Sequence, residues 1–204
     1  MIGMLRRRLM SGGGAFEFTY TGQFTDKIEG SKRVIKLTSS GTLNVSGSVM
    51  ADVYLLAGGG GGVSAAAYNV GTLGCGGGGG GGHQTVKMKI IAGVYDIIIG
   101  AGGAGNSSQQ NYAVIASDGG DTIAFGITTT GGKGANVNCS DNHQHAYGGV
   151  GGVPNGLNGD AKFGAYQTAP GGAPNGGEGK TSNTPTSGTA QKGGDGYVTL
   201  TIPI

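Results

Sequence analysis

Three stretches of the chain hold residue types whose spacing could do chemistry. CSDNHQHAY, residues 139–147, brings Cys139, Asp141, His143 and His145 close together. On an extended segment, His-x-His turns both imidazoles to one face. That arrangement suits a transition metal, and three chains around an axis would offer six such nitrogens. The competing reading, adopted here, is a polar loop whose histidines sit in water or touch a ligand, with no metal assigned. VYDIIIGAGGAG, residues 94–105, aligns Gly100, Gly102 and Gly105 with the G-x-G-x-x-G of a dinucleotide site, and Asp118 or Asp121 lies about 20 residues on. Such a site needs a helix opening at its end, and NSSQQNYAVIASDGG supplies none. PNGGEGKTS ends in Gly179-Lys180-Thr181 like a phosphate loop, but Pro174 stands where its first glycine is required. No Ser-His-Asp or paired-carboxylate arrangement stands out. The chain is therefore expected to be non-enzymatic and to use no cofactor.

The loops offer more than the motifs do. NSSQQNY (106–112), NVNCSDNHQHAY (136–147) and DAKFGAYQTA (160–169) set aromatics among Asn, Gln, Ser and His. Flat aromatic rings supply contact area and small amides supply adaptable hydrogen bonds, the mixture found in antibody loops. It suits a sugar or a protein epitope. The candidate receptor-binding residues are Tyr112, Asn138, His143, His145, Tyr147, Phe163, Tyr166 and Gln167. The alternative is that these are solvated connectors, with some aromatics packed on neighbouring elements.

Something rigid must hold such loops. Of the 204 residues 49 are glycine, far above the roughly 7% of ordinary proteins, and no amphipathic helical run without glycine occurs. Period-two alternation marks strands at AFEFTY (15–20), RVIKLT (33–38), TLNVS (42–46), ADVYLLA (51–57), QTVKMKII (84–91), VYDIII (94–99), DTIAFGIT (121–128) and GYVTLTI (196–202). Ala92-Gly93 reads as a tight hairpin turn between the fifth and sixth of these. The strands predict an all-β, antiparallel sandwich or barrel whose last strand returns to the core.

Glycine-rich insertions occupy about 57–83, 100–120 and 130–195. No charged residue falls between Asp52 and Lys87, unlike a solvated linker. The pattern x-G-G-x recurs at Ala101–Ala104, Asp118–Asp121, Thr130–Lys133, Val150–Val153, Pro170–Ala173, Asn175–Glu178 and Lys192–Asp195. A three-residue repeat matches an extended threefold helix, which makes no hydrogen bonds within itself. Two glycines per turn bare two of its edges, so other backbones can approach and bond laterally. The spacing thus predicts a bundle of polyglycine II helices. Gly76, Gly77, Gly78, Gly79, Gly80, Gly81 and Gly82, bare on every edge, are expected to be its centre.

Residues 1–14, with Arg6-Arg7-Arg8, read as a flexible, solvated N-terminal tail ahead of one sandwich domain over 15–204. The formal net charge of +2 gives no argument for nucleic acid. No apolar run is long enough to insert in a membrane, and no signal peptide is recognised. Cys75 and Cys139 read as two free thiols or one bridge.

ADVYLLAGGGGG, CGGGGGGGHQTVKMKIIAGVYDIIIGAGGAG, GGDTIAFG and KGGDGYVTLTI together resemble the glycine-rich domain proteins of phages and prophages. The sequence is also similar to phage tail-fibre tip adhesins and to the glycine-rich region of anaplastic lymphoma kinase-type receptors. The resemblance implies a jelly-roll-like β-sandwich carrying the glycine helices. It implies a virion protein of the phage tail, working outside a cell, whose loops bind a host cell-surface protein or glycan. Other virion tail proteins are implied as partners, and a homo-oligomer such as a trimer is open to it. No fibre-attachment element is identified in residues 1–40. The alternative function is a structural virion or cell-surface protein whose glycine bundle drives assembly.

Overall fold

A computed structural model describes residues 16–65, 74–108, 113–140, 143–163, 167–181 and 189–204. The tail expected over 1–14 lies outside the described residues, as do Asp141, Tyr112 and Tyr166. The chain is all-β, and the described residues contain no helix.

In chain order, β1 is Glu17–Tyr20, β2 Phe24–Glu29, β3 Lys32–Leu37, β4 Gly41–Ser46 and β5 Val49–Leu56. Two short strands, β6 (Val63–Ala65) and β7 (Gly74–Gly76), precede β8 (His83–Ile90) and β9 (Gly93–Ile97). Then come β10 (Asn106–Ser108), β11 (Val114–Ile115), β12 (Thr122–Ala124), β13 (Ile127–Thr129), β14 (Asn136–Ser140) and β15 (His143–Tyr147). The rest are β16 (Ala161–Phe163), β17 (Thr168–Ala169), β18 (Gly179–Lys180), β19 (Thr189–Ala190) and β20 (Tyr197–Pro203).

The long alternating strands form two antiparallel sheets, one ordered β2-β3-β20-β5-β8 and the other β1-β4-β9. Alternation explains why they share a core. Phe18, Leu43, Val45 and Ile97 come from the three-stranded sheet. Ile35, Leu37, Val53, Leu55, Ile90, Val198, Leu200 and Ile202 come from the five-stranded one, and all are buried in the same cluster. Each such side chain contributes about 1.5–3 kcal/mol on burial. The closing strand β20 does return to this core, seated between β3 and β5.

Two local expectations need correction. β8 and β9 do not form a hairpin: β8 pairs with β5, and β9 pairs with β4 in the other sheet. Ala92-Gly93 carries the chain across the core, so that Ile90 and Ile97 enter it from opposite sheets. DTIAFGIT is not one strand but the hairpin β12–β13, turned by Phe125 (φ 53°) and Gly126 (φ 77°). Positive φ suits glycine, and the Phe125 ring is held edge-on to Tyr95 at 5.0 Å.

The remaining strands make three small sheets, ordered β10-β6-β7-β16, β11-β14-β15 and β17-β18-β19. One pairing, β6 with β10, is parallel. They enclose a second, smaller apolar cluster of Val63, Val114, Ala116, Ala135, Val137 and Ala146.

Candidate binding surface

Glycine-rich passes join the two clusters. Residues 57–62 leave β5 for β6, and 77–82 return from β7 to β8. Later passes cover 100–105, 116–121, 130–135, 148–153, 156–160, 170–173, 176–178 and 191–196, alternating in direction.

Hydrogen bonding of the first pass repeats every three residues. The N–H groups of Ala57 and Gly60 donate to the carbonyls of Gly82 and Gly79, at 2.9 and 2.8 Å. Those of Gly58 and Gly61 donate to Gly120 and Ser117, and those of Gly59 and Gly62 to Gly194 and Gln191. Its carbonyls accept in the same rhythm: Gly58 and Gly61 from Gly132 and Ala135, Gly59 and Gly62 from Gly103 and Asn106. The second pass behaves alike. Gly77 and Gly80 donate to Asp160 and Leu157, Gly79 and Gly82 to Lys133 and Thr130, and Gly78 to Gly177.

The other eight passes surround this pair in chain order. Ser117 N–H donates to the Ala104 carbonyl, Gly119 to Gly132, Lys133 to Val150, Gly159 to Gly149, Leu157 to Ala173, Gly176 to Gly172 and Gly194 to Asn175. Gly193 N–H, donating to the Gly103 carbonyl at 2.9 Å, closes the ring of passes. Gly76–Gly82 are all buried. A Cβ on Gly79 would fall on the Val150 carbonyl oxygen, and one on Gly60 on that of Lys133. Glycine is required there by close approach of backbones.

Ring N–H groups left over from this pattern are accepted by side chains. Asp118 Oδ1 accepts from Gly134, Asp121 Oδ1 from Gly131, Asp195 Oδ1 from Gly102 and Asn158 Oδ1 from Gly151, all at 2.7–2.9 Å. Lys133 Nζ donates to Asp118 Oδ2 at 2.8 Å, and Lys192 Nζ to Asp195 Oδ1 at 2.7 Å. At Asp118, partial desolvation works to raise the pKa, but the Lys133 and Gly134 hydrogen bonds and the Lys133 charge hold it below the ordinary value. At Asp195 the Gly102 N–H, then Lys192, hold it down. These acceptors were the functional residues least visible in sequence; the signal for Asp118, Asp121 and Asp195 was their place at the x positions of x-G-G-x, which Asn158 lacks. Gly102, part of the dinucleotide-like motif, is one of the N–H donors, and β10 rather than a helix follows it.

Strands β6, β11, β14 and β15 meet around the smaller cluster. The hairpin β14–β15 gathers four candidates there. Asn138 pairs across the strands with His145, and Tyr147 with Asn136. Asn138, His145 and Tyr147 are exposed, while Val137 and Ala146 point into the smaller cluster. His143 pairs with Ser140 in the same hairpin. Phe163, 48% exposed, stands on β16 opposite Gly74. Gln167 is exposed beside β17, its backbone N–H and carbonyl both bonded to Thr181.

Cys75 is a free, buried thiol whose pKa burial pushes up, so it does not bridge to Cys139. Among the described residues no three His, Cys, Asp or Glu side chains come together as metal ligands do.

An all-β chain threaded by laterally bonded glycine passes defines a glycine-rich structural class. The chain belongs to the glycine-rich domain family, whose model matches residues 38–202. Comparison with curated proteins gives no match.

Proposed function

We propose that the protein is a non-enzymatic receptor-binding adhesin of a phage virion, placed at the tail tip. The observation that carries this reading is the exposure of Asn138, His145, Tyr147 and Phe163 on the short strands that the glycine passes reach. Loops held by a rigid frame are where recognition is usually built. The partner is a host cell-surface protein or glycan; the phage setting and the contact with other tail proteins rest on the sequence resemblance.

The frame is read as a bundle of polyglycine II helices on a jelly-roll-like sandwich. Return of the hydrogen bonds to the same neighbour every third residue supports three residues per turn. A pair of passes that share two neighbours inside a closed ring of eight is what hexagonal packing of rods requires. Two sheets with one core support the sandwich.

The test is binding of the full chain to fractionated bacterial envelope. Tyr147→Ala with His145→Ala should abolish it with the circular dichroism spectrum unchanged; intact binding overturns the assignment of these residues. A second reading, assembly through the glycine bundle, is favoured by Val150, Val153 and Leu157. They are 59%, 63% and 60% exposed on adjacent passes, in a stretch without charge from Gly148 to Gly159. Concentration-dependent formation of a trimer without envelope binding would select it.

A further inference from the structure

We infer that the outer face of the five-stranded sheet is a second binding surface, made for an acidic polysaccharide. Strand register places Lys36, Thr199, Tyr54 and Thr85 in one row across β3, β20, β5 and β8. The next row contains Thr201, Asp52 and Lys87, flanked by Lys27 on β2. Lys32 on β3 and Lys89 on β8 lie in the row beyond that.

Charge is the first argument. This face carries Lys27, Lys32, Lys36, Lys87 and Lys89 against Glu29 and Asp52. Lys133 and Lys192 on the glycine passes, and Lys180 on β18, each have a carboxylate partner at 2.7–3.3 Å. None of the five sheet lysines forms an ion pair among the described residues, although Asp52 stands directly opposite Lys87. Unpaired like charges gathered on one face repel one another, and an anion laid between them relieves that repulsion.

Shape and chemistry narrow the anion. A groove of about 300 Å³ has Lys32 and Lys87 in its walls together with Asp52, Thr201, Met50 and Pro203. Beside it the Tyr54 and Tyr197 rings lie 5.6 Å apart, with Lys36 Nζ 3.7 Å from the Tyr197 ring centre. Rings and apolar walls fit the C–H faces of a pyranose, threonine hydroxyls fit its hydroxyls, and lysines fit carboxylates along the chain. Among the described residues no arginine, the side chain that takes a phosphate in bidentate fashion, is exposed on this face: Arg33 is buried against Asp26 and the Phe18 ring. That favours a polyuronide over a nucleic acid.

The experiment measures binding of the full chain to immobilised polygalacturonate, with neutral dextran and duplex DNA alongside. Saturable binding to polygalacturonate is expected, weakened by salt and absent on dextran. Lys32→Glu and Lys87→Glu, both exposed, should each weaken it about tenfold or more at an unchanged melting temperature. His145→Ala with Tyr147→Ala should leave it unchanged, so this surface stands or falls apart from the loop end. Failure to bind polygalacturonate at low salt, indifference to both charge reversals, or equal affinity for DNA would each overturn the inference.

Discussion

Asn175 reaches 94 positions back along the chain to Gly81: its Oδ1 accepts the Gly81 N–H at 2.8 Å. Its Nδ2 donates to the Ala57 carbonyl at 3.0 Å and the Gly194 carbonyl at 2.9 Å. One amide therefore ties both central glycine passes to the ring. Asn175→Ala leaves the Gly81 N–H and the Ala57 carbonyl unmet, while Gly194 keeps the Gly59 N–H, at a cost of about 1–3 kcal/mol for each buried group left without a partner. A clear fall in the denaturation midpoint is expected. Asn175→Asp keeps the acceptor but loses the donor, and should recover only part of the loss.

Close approach makes a sharper contrast between two glycines. Gly79→Ala would push a methyl group into the Val150 carbonyl and should cost at least about 3 kcal/mol. At Gly93 the nearest atom to an added Cβ is 3.6 Å away, and φ is not positive. Gly93→Ala should stay within about 1 kcal/mol of wild type, on the stabilising side. Amide hydrogen exchange gives the companion measurement: Gly77–Gly82 should exchange slowly, and fast exchange there would contradict the lateral bonding.

Acid should loosen the ring before the core. Asp118 and Asp195 have carboxyls held below their ordinary 3.8, so their contribution is present above that pH and is lost as pH falls through the lower folded values. Both side chains are more than half exposed, which limits each contribution to below about 1 kcal/mol. Thermal melts between pH 5 and 2 should fall, and Asp118→Asn with Asp195→Asn should flatten that slope while retaining an acceptor for each glycine N–H.

Arg33 on β3 and Asp26 on β2 form a pair, bonded through Nε and Nη2 at 2.9 and 2.8 Å, with side-chain exposures of 3% and 11%. Asp26→Ala leaves the guanidinium buried without its counter-charge and should destabilise by about 3–5 kcal/mol. Adding Arg33→Met should restore most of that loss. A double variant no more stable than Asp26→Ala would show that the pair does not act as a unit.

The strands were legible because alternation is local: Phe16 and Phe18, or Val198, Leu200 and Ile202, declare one buried face within a few residues. The hairpin assigned to Ala92-Gly93 failed because a short glycine turn fits both a return within one sheet and a crossing between two, and only core burial of Ile90 and Ile97 distinguishes them. Of the candidate surface, Asn138, His145 and Tyr147 were legible as polar and aromatic residues. Their common hairpin was not, since Val137 and Ala146 had to find Val63 and Val114 first.

The sequence by itself determined that this chain is β-rich, where its strands alternate, and that its glycines are spaced in threes for backbones to meet. Those properties are written in neighbouring residues. Tertiary structure alone decided the order of passes around Gly58–Gly62 and Gly77–Gly82, and which Asp or Asn answers which N–H. It also decided that unpaired lysines share one sheet face. Each of these relations joins groups far apart along the chain, and a bare glycine carries no side chain to name its partner.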